Sequence, residues 1–319
     1  MQNAAVIAYQ AMIMFILLAV GYFLYKKKLM SDETTRQMSN IALTLINPIV
    51  IFNAYQTDFN PEMLKGLLIA VALSVGAHVL LILASALLIR KDRSNFQIER
   101  FALSYTNCAF MGIPLVQSTF GSEGVFYLTG YITVFNLLMW THGNLSMQDS
   151  NKEGISATVK AVGKVLLSPA ILSIAVGLVF FFTGLRLPAV LQQPLDYLGA
   201  LNTPLAMLVS GATIAKAGLL GAFTKPRVYF IQVFKLLALP AVMAVIFALL
   251  AVNGVDSLIL STVLIAASAP TASATIMFSY RHGRDEKYAS NHFALSTVAS
   301  MATMPLALMV FALAVQIFG

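Results

Sequence analysis

The chain has 319 residues, of which 59% are hydrophobic and only 10% charged, with a formal net charge of +7 and one cysteine. A soluble domain carries roughly 25% charged residues, so this composition excludes an ordinary soluble enzyme and assigns most residues to lipid or to buried helix contacts. The single Cys108 excludes an internal disulfide and a thiolate zinc cluster, and inside an apolar segment it reads as an inert buried thiol.

A hydrocarbon core of roughly 30 Å needs about 20 helical residues. Ten segments reach that length, near residues 4–25, 36–56, 63–89, 100–119, 123–145, 165–183, 193–215, 227–250, 256–279 and 288–318. The first has no basic leader and no small-residue cleavage site, and it ends in Lys26-Lys27-Lys28, so it reads as a retained span rather than a signal peptide. The second contains Asn47-Pro48, and the third contains Ser74 and His78. The fourth runs through Asn107, Gly112, Ile113 and Pro114; the fifth holds Asn136 and ends near Trp140 and His142. Residues 146–164 form the longest connection, in which Gly154 to Lys164 read as an interfacial amphipathic turn or two. The seventh contains Asn202-Thr203-Pro204, the eighth Lys235, and the ninth Ser268-Ala269-Pro270-Thr271-Ala272-Ser273. The tenth carries His292.

The loops after the odd-numbered segments hold all of the 20 Lys and Arg residues except Lys65, Arg186 and Lys235. The positive-inside rule places those loops in the cytoplasm and both termini outside. The net charge is thus an orientation signal, not a nucleic-acid footprint.

Several features recur 156 residues further on: Pro48 at Pro204, Pro114 at Pro270, Ala19-Val20-Gly21 at Ala175-Val176-Gly177, and Thr141 at Thr297. The spacing predicts two five-helix copies, 1–145 and 165–319, joined by the connection 146–164. An odd number of spans per copy makes the second copy enter from the opposite side. Inverted repeats of this kind are a transporter architecture, with the site at the repeat interface.

Proline inside a helix removes one hydrogen bond and clashes with the preceding turn, and in hydrocarbon the freed groups must be buried in protein or line a cavity. Either proline alone reads as a kink. The symmetric pair, with small and polar neighbours, predicts broken helices 4 and 9 crossing at a binding site whose inward helix N-termini favour an anion. Asn47-Pro48 and Asn202-Pro204 read equally well as hinges or as packing kinks.

Lys235 lies eight residues past Arg227, about 12 Å at roughly 1.5 Å per residue, which puts an ammonium near mid-bilayer. It either neutralises an anionic substrate or snorkels to the interface. His78, nearly repeat-equivalent to it, suits proton coupling or simple packing. Asn136 and His292 occupy equivalent positions, candidates for one cavity wall, and His142 reads as interfacial. Every Asp and Glu falls at the outer span ends or in the cytoplasmic flanks, which disfavours a cation antiporter built on buried carboxylates. The chain has no G-x-S-x-G, no HExxH and no Walker-type loop, so neither catalysis, a cofactor nor a bound metal is expected.

These residues resemble the auxin efflux carrier family, which includes the plant PIN carriers and bacterial malonate-transporter-like proteins. The likeness rests on N-x-x-x-x-G-I-P-L at Asn107 to Leu115 and F-G-S-E-G at Phe120 to Gly124. It continues through S-P-A-I-L at Ser168, T-P-L-A-M-L at Thr203, and A-P-T-A at Ala269 followed by Tyr280. The resemblance implies an all-α membrane fold of ten helices like that of sodium/proton antiporters and bile acid symporters. Helices 1, 2, 6 and 7 would form a scaffold and helices 3–5 and 8–10 a moving transport domain. It also implies crossing at Pro114 and Pro270, Asn107 near a bound carboxylate, a scaffold-mediated homodimer and elevator motion. Ser74 and His78 are the nearest counterparts of the polar span-3 residues that support the site in plant carriers, and their long cytoplasmic loop is missing.

The expected function is a secondary transporter or uniporter for small organic anions in a bacterial inner membrane. Asn107, Gly112, Ile113, Pro114, Ser268, Pro270, Thr271 and Ser273 would form the site, with Lys235, His78, Asn136 and His292 supplying charge or coupling. The alternatives are a sodium- or proton-coupled antiporter of the same fold and a non-transporting metabolite sensor.

Overall fold

A computed structural model describes residues 2–148, 163, 166–218 and 225–319. Apart from residue 163, the expected amphipathic turn at 154–164 lies outside the described residues. The described chain is helical throughout, its one β-type pairing being a single bridge discussed below. The first half comprises α1 (Gln2–Lys26), α2 (Asp32–Ile41), α3 (Asn47–Ala54), α4 (Pro61–Leu88), α5 (Phe96–Ser104), α6 (Ile113–Leu138) and α7 (Asn144–Met147). The second comprises α8 (Pro169–Thr183), α9 (Ala189–Ala200), α10 (Asn202–Ala217), α11 (Pro226–Val233), α12 (Leu239–Val252), α13 (Ser257–Ser268), α14 (Ala274–Arg281) and α15 (Glu286–Phe318). Six continuous helical stretches among the described residues are long and apolar enough to cross a membrane: Tyr9–Lys26, Pro61–Leu88, Cys108–Met147, Ala189–Ala217, Pro226–Val252 and Glu286–Phe318. The protein is therefore an integral, multi-pass membrane protein.

Helix starts follow from the local chemistry. Ser31, Asn60, Asp256 and Asp285 each accept a hydrogen bond from an amide two or three residues on, at 3.1, 2.9, 2.7 and 2.9 Å, satisfying a donor with no intrahelical partner. Asp32, in the first turn of α2, takes Tyr25 Oη at 2.7 Å and Lys216 Nζ at 2.9 Å. The phenol hydrogen bond, then the lysine, hold its carboxyl below the usual carboxylate range and tie α2 to the end of α10.

Three prolines remodel the helices around them. Pro48, Pro114 and Pro240 each follow a π-helical turn, at Ala42–Ile46, Cys108–Gly112 and Phe234–Ala238. A proline ring displaces the carbonyl four residues back, here Thr44, Phe110 and Leu236, each inside its π turn. Widening the turn moves that carbonyl aside without ending the helix. A fourth π turn, Met139–Gly143, has no proline behind it. The helical path also breaks at Gly121, whose φ of 65° favours glycine and separates the fourth expected span from the fifth.

Close packing uses two other glycines. Any Cβ on Gly21 would collide with the backbone of Leu208, and one on Gly211 with the backbone of Leu18, so α1 and α10 meet main chain to main chain. Across the molecule α8 lies on α3, with Gly177 accommodating the ring of Tyr55. Large apolar side chains such as Leu68, Leu87, Val190 and Ile317 stay exposed, which suits a surface bathed in lipid.

Candidate functional site

The chain leaves helical geometry at Tyr105–Asn107 and again at Ala269–Ser273, and the two breaks meet. Thr106 and Thr271 form an antiparallel bridge. The Asn107 amide donates to the Pro270 carbonyl at 2.7 Å, and the Ala272 amide donates to the Tyr105 carbonyl at 3.1 Å. An unpaired peptide group in hydrocarbon costs several kcal/mol, so each break supplies the partners that the other lacks. The crossing does not fall on both prolines. Pro270 is at the bridge, but Pro114 sits in the first turn of α6, past the π turn. Its ring is accommodated because the π turn before it moves the Phe110 carbonyl aside.

The C-terminal carbonyls of α5 point into the interior and are met by side chains. Ala102 O accepts from Thr271 Oγ1 at 3.2 Å and Leu103 O from Lys235 Nζ at 3.0 Å. Lys235 is fully buried, and no carboxylate lies within 4.0 Å of it among the described residues. It neither snorkels nor lines the cavity beside Asn107. Instead its ammonium sits at the negative end of a broken helix, where the macrodipole favours a cation.

Beside the bridge is a cavity of ≈ 50 Å³. Asn107 and Ser273, the residues immediately before the π turn Cys108–Gly112 and before α14, form one side with Phe110 and Phe293. Ser39 on α2 and Val209, Ser210 and Thr213 on α10 form the other. Asn107 is 5% exposed, and its Nδ2 has no hydrogen-bond partner among the described residues.

The other expected site residues divide among several places. Gly112, Ile113 and Pro114 are buried in the π turn and the start of α6, away from the cavity. Ser268 donates to Ile265 O at 3.1 Å, and Thr271, besides its hydroxyl bond to Ala102 O, donates its amide N–H to Ser296 Oγ at 3.0 Å. Both hydroxyl protons are thus committed to backbone. His78 bonds Ser74 O through Nδ1 at 2.8 Å and lies against Tyr131, whose hydroxyl contacts Thr106 at 3.1 Å. Asn136 donates to Ile132 O in its own helix, whereas His292 pairs with Gln232 at 2.9 Å, so the two share no hydrogen-bond network. Asn47 and Asn202 are buried next to their prolines; Asn47 Oδ1 and both amide atoms of Asn202 have no partner among the described residues.

Sequence reasoning missed Gln232, which reaches Thr271 Oγ1 at 3.3 Å and links His292 to the crossing. It also missed the wall from α2 and α10, because Ser39, Ser210 and Thr213 carry no local signal. Glu99, expected in a solvated cytoplasmic flank, is only 3% exposed. Arg227 grips it through Nε and Nη2 at 2.9 to 3.2 Å, and Tyr288 donates to it at 2.9 Å. The bond closes the ends of α5, α11 and α15 together.

The membrane transport protein family matches residues 6–308 of the chain. The chain belongs to this family, that of the auxin efflux carriers. An uncharacterized transporter of Methanothermobacter thermautotrophicus is 23% identical over 295 residues, covering 91% of this chain and 94% of the relative. An uncharacterized transporter of Methanocaldococcus jannaschii is 22% identical over 311 residues, covering 92% and 96%. A Rhizobium meliloti protein named "Putative malonate transporter" is 25% identical over 229 residues, 70% of each chain. This carrier is accordingly a membrane transporter and not an enzyme.

Proposed function

We propose that this carrier is a secondary transporter or uniporter of small organic anions, binding the substrate carboxylate beside Asn107 where the two breaks meet. The observation that carries the reading is that Asn107, whose buried Nδ2 has no partner among the described residues, lines a cavity between helix starts and α10. The carboxylate would accept from that amide and from the Ser273 and Ser210 hydroxyls. The positive ends of the helices that begin at Cys108 and Ala274 would add a favourable field. Lys235 acts through the break: it holds the negative end of α5 in place and keeps that end's charge from opposing an anion.

The way the cavity is divided supports alternating access. At ≈ 50 Å³ it is small, well below the 300–1,000 Å³ of ordinary small-molecule sites. One wall belongs to α2 and α10 and the other to the two breaks and α15. Sliding the second group past the first would open the site to alternate faces. The helix pairing supports an inverted repeat: α1 on α10 answers α8 on α3, and α4 on α6 answers α12 on α15. In that reading ten spans divide into copies 1–145 and 165–319, with both termini outside a bacterial inner membrane. The scaffold (α1–α3 and α8–α10) would carry the contacts of a homodimer.

Malonate enters as a first substrate because a relative's name carries it. A panel of mono- and dicarboxylates, scored by thermal stabilisation of detergent-purified protein, tests the reading. Saturable stabilisation that disappears in Asn107→Ala is expected; equal stabilisation of the variant would overturn the site. Stabilisation without flux in liposomes would identify a sensor. Strict sodium or proton dependence without an organic substrate would identify an antiporter.

A further inference from the structure

On the α4 side of the break at Tyr105, a second cavity of ≈ 60 Å³ lies between the end of α4, the helix α5 and the π turn Met139–Gly143. Its polar lining is Ser85, Arg100, Ser104, Tyr105, His142 and Ser146. None of the transport reading uses it.

Arg100 is fixed in the wall. Its Nε and Nη2 donate to Ile89 O at 3.1 and 2.6 Å, and Nη2 donates to Ala86 O at 3.1 Å, closing the C-terminus of α4. Nη1 makes no hydrogen bond among the described residues, and no described carboxylate approaches the guanidinium within 4.0 Å. Ser104, 1% exposed, lines the same cavity with an Oγ that has no partner. Tyr105 Oη donates to Leu138 O at 3.0 Å and contacts His142 Nδ1 at 2.8 Å, which fixes the imidazole. The hydroxyls of Ser85 and Ser146 are spent on Ile82 O and Gly143 O. The balance is a guanidinium that faces the Phe96 ring at 5.6 Å but has no carboxylate partner, with Nη1 and the Ser104 hydroxyl left as spare donors.

We propose that this pocket binds a phosphate-type oxyanion, with one oxygen held between Arg100 and Ser104. Arginine's planar fork suits phosphate geometry, and basic pockets between membrane helices take anionic lipid head groups. The favoured source is an acidic phospholipid. Leu83 and Leu87, 56% and 84% exposed, leave an apolar track for acyl chains beside the pocket residue Ala86. The loop that follows brings the exposed Arg90, Lys91 and Arg93 to the same end. This binding is independent of the transported substrate.

The test is the melting temperature of the purified full-length carrier in detergent, with added phosphatidylglycerol, phosphatidylcholine or inorganic phosphate. Phosphatidylglycerol is expected to raise it saturably and phosphatidylcholine to leave it unchanged. Ser104→Ala removes an unpartnered hydroxyl, so it should keep the lipid-free melting temperature while weakening the phosphatidylglycerol half-saturation several-fold. Arg100→Gln should abolish the response, and Ser104→Ala covers the case in which that variant fails to fold. An equal response to inorganic phosphate, lost in the same variants, would support the pocket and name a free oxyanion as its source. A response indifferent to head-group charge, or unchanged in Ser104→Ala, would overturn the proposal.

Discussion

The two half-helices that lead into the crossing, α5 and α13, are held in contrasting ways. α5 is tied by charge at both ends: Glu99 binds Arg227 and Tyr288 near its start, and Lys235 meets Leu103 O at its finish. α13 has only the Asp256 cap at its start, and its residues from Ile259 to Ser268 are buried. The position repeat-equivalent to Lys235 is Val79, 48% exposed. The two paired breaks thus carry unequal charge patterns. The backbone pairing is reciprocal across the bridge, whereas Lys235 meets the C-terminal carbonyls of α5 alone.

The contrast can be broken from either side. Removing one partner of a buried ion pair costs about 3–5 kcal/mol, and Glu99→Ala should fall near the lower figure because Arg227 is 24% exposed. Urea or thermal unfolding in detergent checks this, and a loss under about 1 kcal/mol would mean that α5 is not charge-tied. On the other side, Leu264→Ala in α13, at a fully buried position, should cost about 2–5 kcal/mol through cavity formation. Glu99→Ala should lose much of its effect when Arg227 is also replaced, and Leu264→Ala should not.

Smaller changes sharpen the comparison. Lys235→Met leaves the Leu103 carbonyl unpaired, at about 1–3 kcal/mol, partly offset by removal of a costly buried ammonium. Its stability loss should therefore be modest and its transport loss large, read as flux per folded molecule. Asp256→Ala removes one cap and should cost about 1 kcal/mol, measurable as a small shift in the unfolding midpoint with flux unchanged.

Much of the architecture was legible because it rests on length and periodicity. Each of the ten expected segments holds one described helix or two in series, since runs of apolar residues in this chain have little alternative to a helix. The breaks were legible from Asn107, Pro270 and their small neighbours. Their register was not: proline marks where a helix starts or widens, and the extended residues Tyr105 and Thr106 look like ordinary helix formers. The cavity wall on α10 was illegible for another reason. Ser210 and Thr213 acquire meaning only when α10 is docked against the crossing, and the close approach of α10 to α1 rests on Gly21 of α1 and Gly211 of α10.

The most direct measurement is counterflow in proteoliposomes loaded with malonate, following entry of labelled malonate through wild-type protein and Asn107→Ala. The crossing site predicts saturable exchange in the wild type and its loss in a variant that still elutes as folded protein. Undiminished exchange through Asn107→Ala would contradict it.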